Sequence, residues 1–398
     1  MWINKPTVRL KSVGSTPVLV LCFILGAILG FLPIPSAAAA PAESSEGLRF
    51  LGAASCGSSG CHGGGGQRQN QSLIWSLKDF HSHRPVATLS TARSKQIAEA
   101  LGVKEPATEK RCTGCHAPLR AVPPGRQGEA FAASEGVSCE SCHGPAERWL
   151  RSHTRPDWTH PDRVQAGMRD LQSLYVRANT CVACHQSVET ALLKAGHPEL
   201  IFELDGQCVS EPRHWREKTN WSGAQAWFVG QAVALREISW QLSRETGPSE
   251  ELKGRWNALL WLLQKLDGLD KEFPALSGIS LQSSEQTSLA TLKACDELAK
   301  HAAATPWTEE MSRKALKALA FTSSDFQKPV APSQTQARRA ERLVLALDRL
   351  LISRKGSQTT NLANKELNRL FELAQSIPDF APSEFAAALN QFSRDLVD

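Results

Sequence analysis

Cys112-Thr113-Gly114-Cys115-His116, Cys139-Glu140-Ser141-Cys142-His143 and Cys181-Val182-Ala183-Cys184-His185 repeat one pattern, and its reading decides the architecture of this 398-residue chain. Two thiols one helical turn apart, followed directly by an imidazole, form the attachment sequence of a c-type haem. The thiols add to the two vinyl groups along one porphyrin edge, and the histidine meets the iron as its proximal ligand. A fourth candidate, Cys56-Gly57-Ser58-Ser59-Gly60-Cys61-His62, has a longer spacer, and Gly57 and Gly60 supply the backbone freedom for it to bulge. Four of the 11 cysteines precede a histidine directly, where chance gives about 0.3 such pairs. Zinc is the weaker reading, because zinc sites space their histidines several residues from the thiolates. Plain disulfides leave the adjacent histidines without a purpose.

Working outward, 10 of the 11 histidines fall between His62 and His214, and only His301 lies beyond. With His62, His116, His143 and His185 proximal, six remain as candidate distal ligands: His81, His83, His153, His160, His197 and His214. Of the three methionines only Met168 is placed to ligate, so mostly bis-histidine, low-potential irons are expected. The same region holds Arg84, Arg111, Arg120, Arg126, Arg148, Arg151, Arg155, Arg163, Arg169 and Arg177, candidates either for haem propionates or for an ordinary solvated face.

The N-terminus carries Lys5, Arg9 and Lys11, then an apolar run over 18–32, then prolines and Ala37-Ala38-Ala39-Ala40. This reads as a secretory signal over 1–42, cleaved between 38 and 43, with an uncleaved anchor as the alternative. Membrane contact is expected only in that second case. Losing those three cations takes the formal charge from +5 to +2. Haem propionates would make the loaded protein mildly acidic, so nothing points to nucleic acid. An apolar content of 41% with 21% charged residues excludes a disordered chain and a many-span membrane protein.

The chain divides by composition. Residues 43–217 are rich in Gly, Pro, Cys, His and Trp, and short helices bearing each attachment segment are expected there, joined by loops, with macrocycles filling the core. Residues 218–398 are periodic. Trp256, Leu259, Leu260 and Leu263 make one stripe, Leu343, Ala346, Leu347 and Leu350 another, and Phe385, Leu389, Phe392 and Leu396 a third. A bundle of about six helices follows. The fold class is therefore mainly α: a haem-packed N-terminal domain, then an all-α bundle. Arg338, Arg339, Arg342 and Arg349 read as the outer face of an amphipathic helix. Cys295 reads as a buried thiol and Cys208 as left over.

Several segments together resemble the multihaem cytochromes related to cytochrome c-554. They are Gly136-Val137-Ser138-Cys139-Glu140-Ser141-Cys142-His143-Gly144-Pro145-Ala146 on to His153, Ala195-Gly196-His197-Pro198-Glu199-Leu200-Ile201-Phe202-Glu203-Leu204, the long-spaced first site, Trp75 with Asp79-Phe80-His81, and Pro212-Arg213-His214-Trp215. The resemblance covers about residues 50–217. It implies that His153 caps the haem on His62, that His81 or His83 caps the haem on His143, and that His197 caps the haem on His185. It also implies an open distal side at His116, which either His160 or His214 would close.

The function expected from this is a periplasmic electron relay with four covalent haem c groups and protein redox partners. The alternatives are catalysis on a small nitrogen species at an open haem on His116, and a subunit docked to a larger redox complex through the helical half.

Overall fold

The computed structural model describes residues 47–217, 221–245, 247–328, 334–352, 361–375 and 379–396. The expected signal segment lies outside these. Residues 42–398 form one compact unit. Among the described residues there is no strand, and an isolated bridge joins Phe50 to Gln127.

The first half is built of short helices: α1 (Gln71–Lys78), α2 (Arg84–Thr88), α3 (Ala92–Ala100), α4 (Lys110–His116), α5 (Cys139–His143), α6 (His160–Gln165), α7 (Leu174–His185), α8 (Thr190–Lys194) and α9 (Leu204–Ser210). Long loops separate them, and glycine sets the tight corners. Gly136 has φ +77°, and a Cβ there would lie 2.1 Å from the Ser82 carbonyl oxygen. Only glycine is free of both the strain and the clash.

The second half holds α10 (Gly223–Arg244), α11 (Glu250–Gln264), α12 (Glu285–Ala304), α13 (Glu309–Ala320), α14 (Ser324–Gln327), α15 (Gln334–Ile352), α16 (Asn361–Ala374) and α17 (Pro382–Asp395). Among the described residues these are eight helices rather than about six; α13, with Met311, Ala315, Leu316 and Leu319 buried along one face, and the single turn α14 are the additions. Ser222 caps α10 by accepting from the Gln225 amide, and the helix is then buried on nearly all sides from Ala224 to Leu242. A helix apolar all round belongs at the centre of a bundle, and α10 packs against α7, α9, α11 and α12.

One large apolar cluster runs from α10 to α17 and also takes in Ala178 and Val182 of α7, and Phe202, Leu204 and Cys208 around α9. Cys295 is fully buried within it. The stripes of α11, α15 and α17 point into this core as their spacing requires. By contrast, the first half has only a small cluster of its own, Ile97, Val188 and Leu192, where α3 meets α8.

The arginines of α15 overturn one expectation. Arg339 and Arg342 are buried, at 6% and 2% exposure, and face the rest of the molecule rather than solvent. Arg339 ends on Asn257 Oδ1 of α11 at 2.8 Å, and the Arg342 charge acts on buried Glu203.

Candidate haem sites

Three of the four attachment segments close a helix. In α4, α5 and α7 the segment fills the last turn and the histidine is the final residue. Each helix is started by a cap: Glu109 accepts from the Arg111 amide, Ser138 and Ser141 form a capping box, and Ser173 accepts from the Val176 amide. The i, i+3 and i+4 positions share one helix face, so both thiols and the imidazole are presented together. The first segment is different. Residues 56–62 form a non-helical loop with a turn over 59–62, folded back by a hydrogen bond from the His62 amide to the Cys56 carbonyl.

The segments meet in pairs through their thiols. The neighbouring Cys139 thiol lowers the pKa of Cys56, and the neighbouring Cys184 thiol lowers that of Cys115 to about 7. The first segment therefore faces the third, and the second faces the fourth. Burial pushes the Cys142 thiol up to about 11 and the Cys181 thiol up to about 12.

Three of the proximal histidines face a second imidazole. Ring centres are 6.0 Å apart for His62 and His153, 5.9 Å for His185 and His81, and 6.5 Å for His143 and His214. Two imidazoles binding opposite sides of one metal ion through Nε2, at about 2 Å each, have ring centres roughly 6 Å apart. The residues thus fit a bis-histidine haem at three places. Among the described residues, His116 has no facing ring at this distance; the positive charge of His197 bears on it, after burial, in lowering its pKa.

The pairing differs from that implied by the cytochrome c-554 resemblance at two places. His81 lies against His185, not His143, and His214 lies against His143. His197 is the imidazole whose charge reaches His116, not a partner of His185. His83 instead precedes α2 and tilts against Trp75, and His160 binds Asp170 through Nε2 at 3.1 Å. Chain spacing carries little information here, because each distal imidazole comes from a separate loop.

Hydrogen bonding holds four of the histidines, only two of them members of the facing pairs. Nδ1 of His62 meets Gln71 Oε1 at 2.9 Å, that of His116 the Pro85 carbonyl at 2.9 Å, that of His153 the Leu150 carbonyl at 2.6 Å and that of His197 the Pro198 carbonyl at 2.8 Å. A ligating imidazole donates its other N–H to just such an acceptor. His160, with Nε2 engaged, does not have this arrangement.

His81 is held most firmly. Its Nδ1 lies 3.1 Å from Asp79 Oδ1 and 3.2 Å from Glu211 Oε1. Hydrogen bonds to Asp79 and then Glu211 raise its pKa to about 10. Those carboxylates keep a proton on Nδ1 and leave Nε2 directed elsewhere. For His143 burial dominates and lowers the pKa to about 4, so that ring is neutral at pH 7, whereas His81 is a cation there and would release its Nε2 proton on ligating a metal.

Three residues near the site have roles that sequence reasoning missed. Glu140, within the third segment, is buried and accepts from the Leu51, Gly52 and Ala146 amides at 2.9, 2.7 and 2.7 Å. Asp79 and Glu211 are the other two. Among the arginines, Arg111, Arg155 and Arg177 pair with Glu109, Asp157 and Glu217. A cleft of about 590 Å³ lies beside His214, bordered by Gln71, Arg68, Arg213 and Arg216. Three guanidinium groups there suit propionate carboxylates.

Residues 55–144 have the pattern of a c-type cytochrome. They match the family described as cytochrome c554 and c-prime, a stretch that takes in the first three attachment segments and resembles that family. No curated protein and no solved structure matches the chain.

Proposed function

We propose that the chain is an exported tetrahaem cytochrome that passes single electrons between protein partners. Cys56 and Cys61, Cys112 and Cys115, Cys139 and Cys142, and Cys181 and Cys184 would bind four haem c groups. His62, His116, His143 and His185 would be their proximal ligands. The observation that carries this is the set of three imidazole pairs near 6 Å, each joining an attachment histidine to one from a distant loop. A bound haem supplies a one-electron couple whose potential follows from its axial ligands, hydrogen bonds and burial. In this reading the protein fixes imidazole orientation through the Nδ1 acceptors of His62, His116 and His153, and brings attachment segments together where the Cys139 thiol acts on Cys56 and the Cys184 thiol on Cys115.

Export to the periplasm rests on the segment over 1–42. No helix among the described residues is long and apolar enough to cross a membrane.

The test is a haem count by pyridine haemochromogen and intact mass on the mature protein. Four per chain are expected, and three in Cys61→Ala. A native count of three, unchanged in Cys61→Ala, would remove the long-spaced first site.

A second reading has one observation behind it: His116 has no facing imidazole in contact among the described residues. A haem there with an open distal side would bind a small nitrogen species. Electron paramagnetic resonance of the oxidised protein decides, since an open site gives a high-spin signal and a closed one does not.

A further inference from the structure

Residues 197–214 form a strap that begins at His197, crosses the helical half and ends at Glu211 and His214. Its middle is pinned by charge. Glu199 takes Arg255 at 3.0 Å and Arg338 at 2.9 Å, and Asp205 takes Arg349 at 3.2 Å. Arg342, buried at 2% exposure, acts electrostatically on Glu203. Gln231 of α10 donates to the Phe202 carbonyl and to Glu203 Oε1, both at 3.1 Å.

Apolar contacts follow the same line. Phe202 and Leu204 are fully buried. A Cβ on Gly230 would lie 2.9 Å from Leu204 Cβ, so α10 and the strap approach as closely as glycine allows. Beyond this α9 carries the strap onward, with Cys208 buried and Arg177 reaching both Cys208 and Glu217. At its far end Glu211 holds His81 Nδ1, and His214 faces His143.

Ion pairs that are partly buried, as these are, add little net stability, and their best-attested use is to fix register. Arg338 and Arg349 of one helix pair with Glu199 and Asp205 of the strap, with the Arg342 charge acting on Glu203 between them, and this makes such a register device.

We propose that α15, with Arg255 and Gln231, is a clamp that sets the register of the strap, so that the helical half positions the distal side of the haem sites. Arg338, Arg349, Glu199 and Asp205 are positioning residues for His214 and for the Glu211–His81 bond. This deepens the relay reading and rests on His214 being a haem ligand.

The experiment uses the full, haem-loaded chain. Asp205→Asn/Arg349→Met and Glu199→Gln are compared with Arg313→Met, which removes an exposed pair with Glu310 within α13, and with His214→Ala. Haem content, low-spin resonance intensity and carbon monoxide bound per ferrous chain are measured. The clamp variants should keep the native haem count, lose one haem's share of low-spin intensity and bind one more carbon monoxide per chain. Arg313→Met should match the parent. Native spin state and gas binding in both clamp variants, even with a lower melting temperature, would overturn the clamp while leaving the relay intact. Should His214→Ala also keep the native low-spin intensity, His214 is not a ligand and both readings of that site fall.

Discussion

Glu140 is one of two spacer residues in the third attachment segment, yet it ties that segment to two distant stretches. Removing its carboxylate leaves three amide donors without an acceptor, each worth about 1–3 kcal/mol when buried. Glu140→Ala should therefore lower unfolding free energy by at least about 3 kcal/mol in denaturant titration, with Glu140→Gln losing less. Asp79 acts on chemistry rather than stability. A carboxylate on Nδ1 makes the imidazole a stronger donor to an oxidised metal. Asp79→Asn should raise the potential of one haem by something on the order of 60 mV, a tenfold step in a one-electron equilibrium. A redox titration reads this directly. The paired-cysteine segments could be read because cysteines and histidine lie within five to seven residues of one another. The roles of Glu140 and Asp79 were not, since their partners at Leu51, Ala146 and Glu211 are set by the tertiary fold.

Among the elements, α15 shows how a pattern is half-legible. The stripe of Leu343, Ala346, Leu347 and Leu350 was readable and is buried. The arginines beside it were not, because a cation next to an apolar face looks the same whether it meets water or a buried acid. Their partner Glu203 gives a pH test. Burial raises its pKa from the ordinary carboxylate value of 4.5 to about 7, with the Arg342 charge opposing. Between those values the folded state binds more protons than the unfolded one, so stability falls as pH rises through that window. The shift corresponds to about 3 kcal/mol. Glu203→Gln should flatten that part of the stability profile, measured by chemical denaturation between pH 4.5 and 7.5.

At the scale of the whole molecule, apolar packing is lopsided. The large core belongs to the helical half with α7 and α9, while residues 47–170 contribute no residue to it. Limited proteolysis of chain made without haem should therefore cut first within 47–170 and spare 223–327. Equal resistance in both regions would show that the first half folds without its macrocycles. The mainly α class and the two compositional halves were readable from periodicity. That α7 belongs to both halves was not, because a helix ending in an attachment segment shows only one of its two jobs. The contacts of Cys56 with Cys139 and of Cys115 with Cys184 bring a hazard during biogenesis. On the exported reading, a polypeptide that reached this shape while still empty would hold two neighbouring thiol pairs open to wrong cross-linking in an oxidising space. Thioether formation would then have to outrun the very compaction that completes the protein.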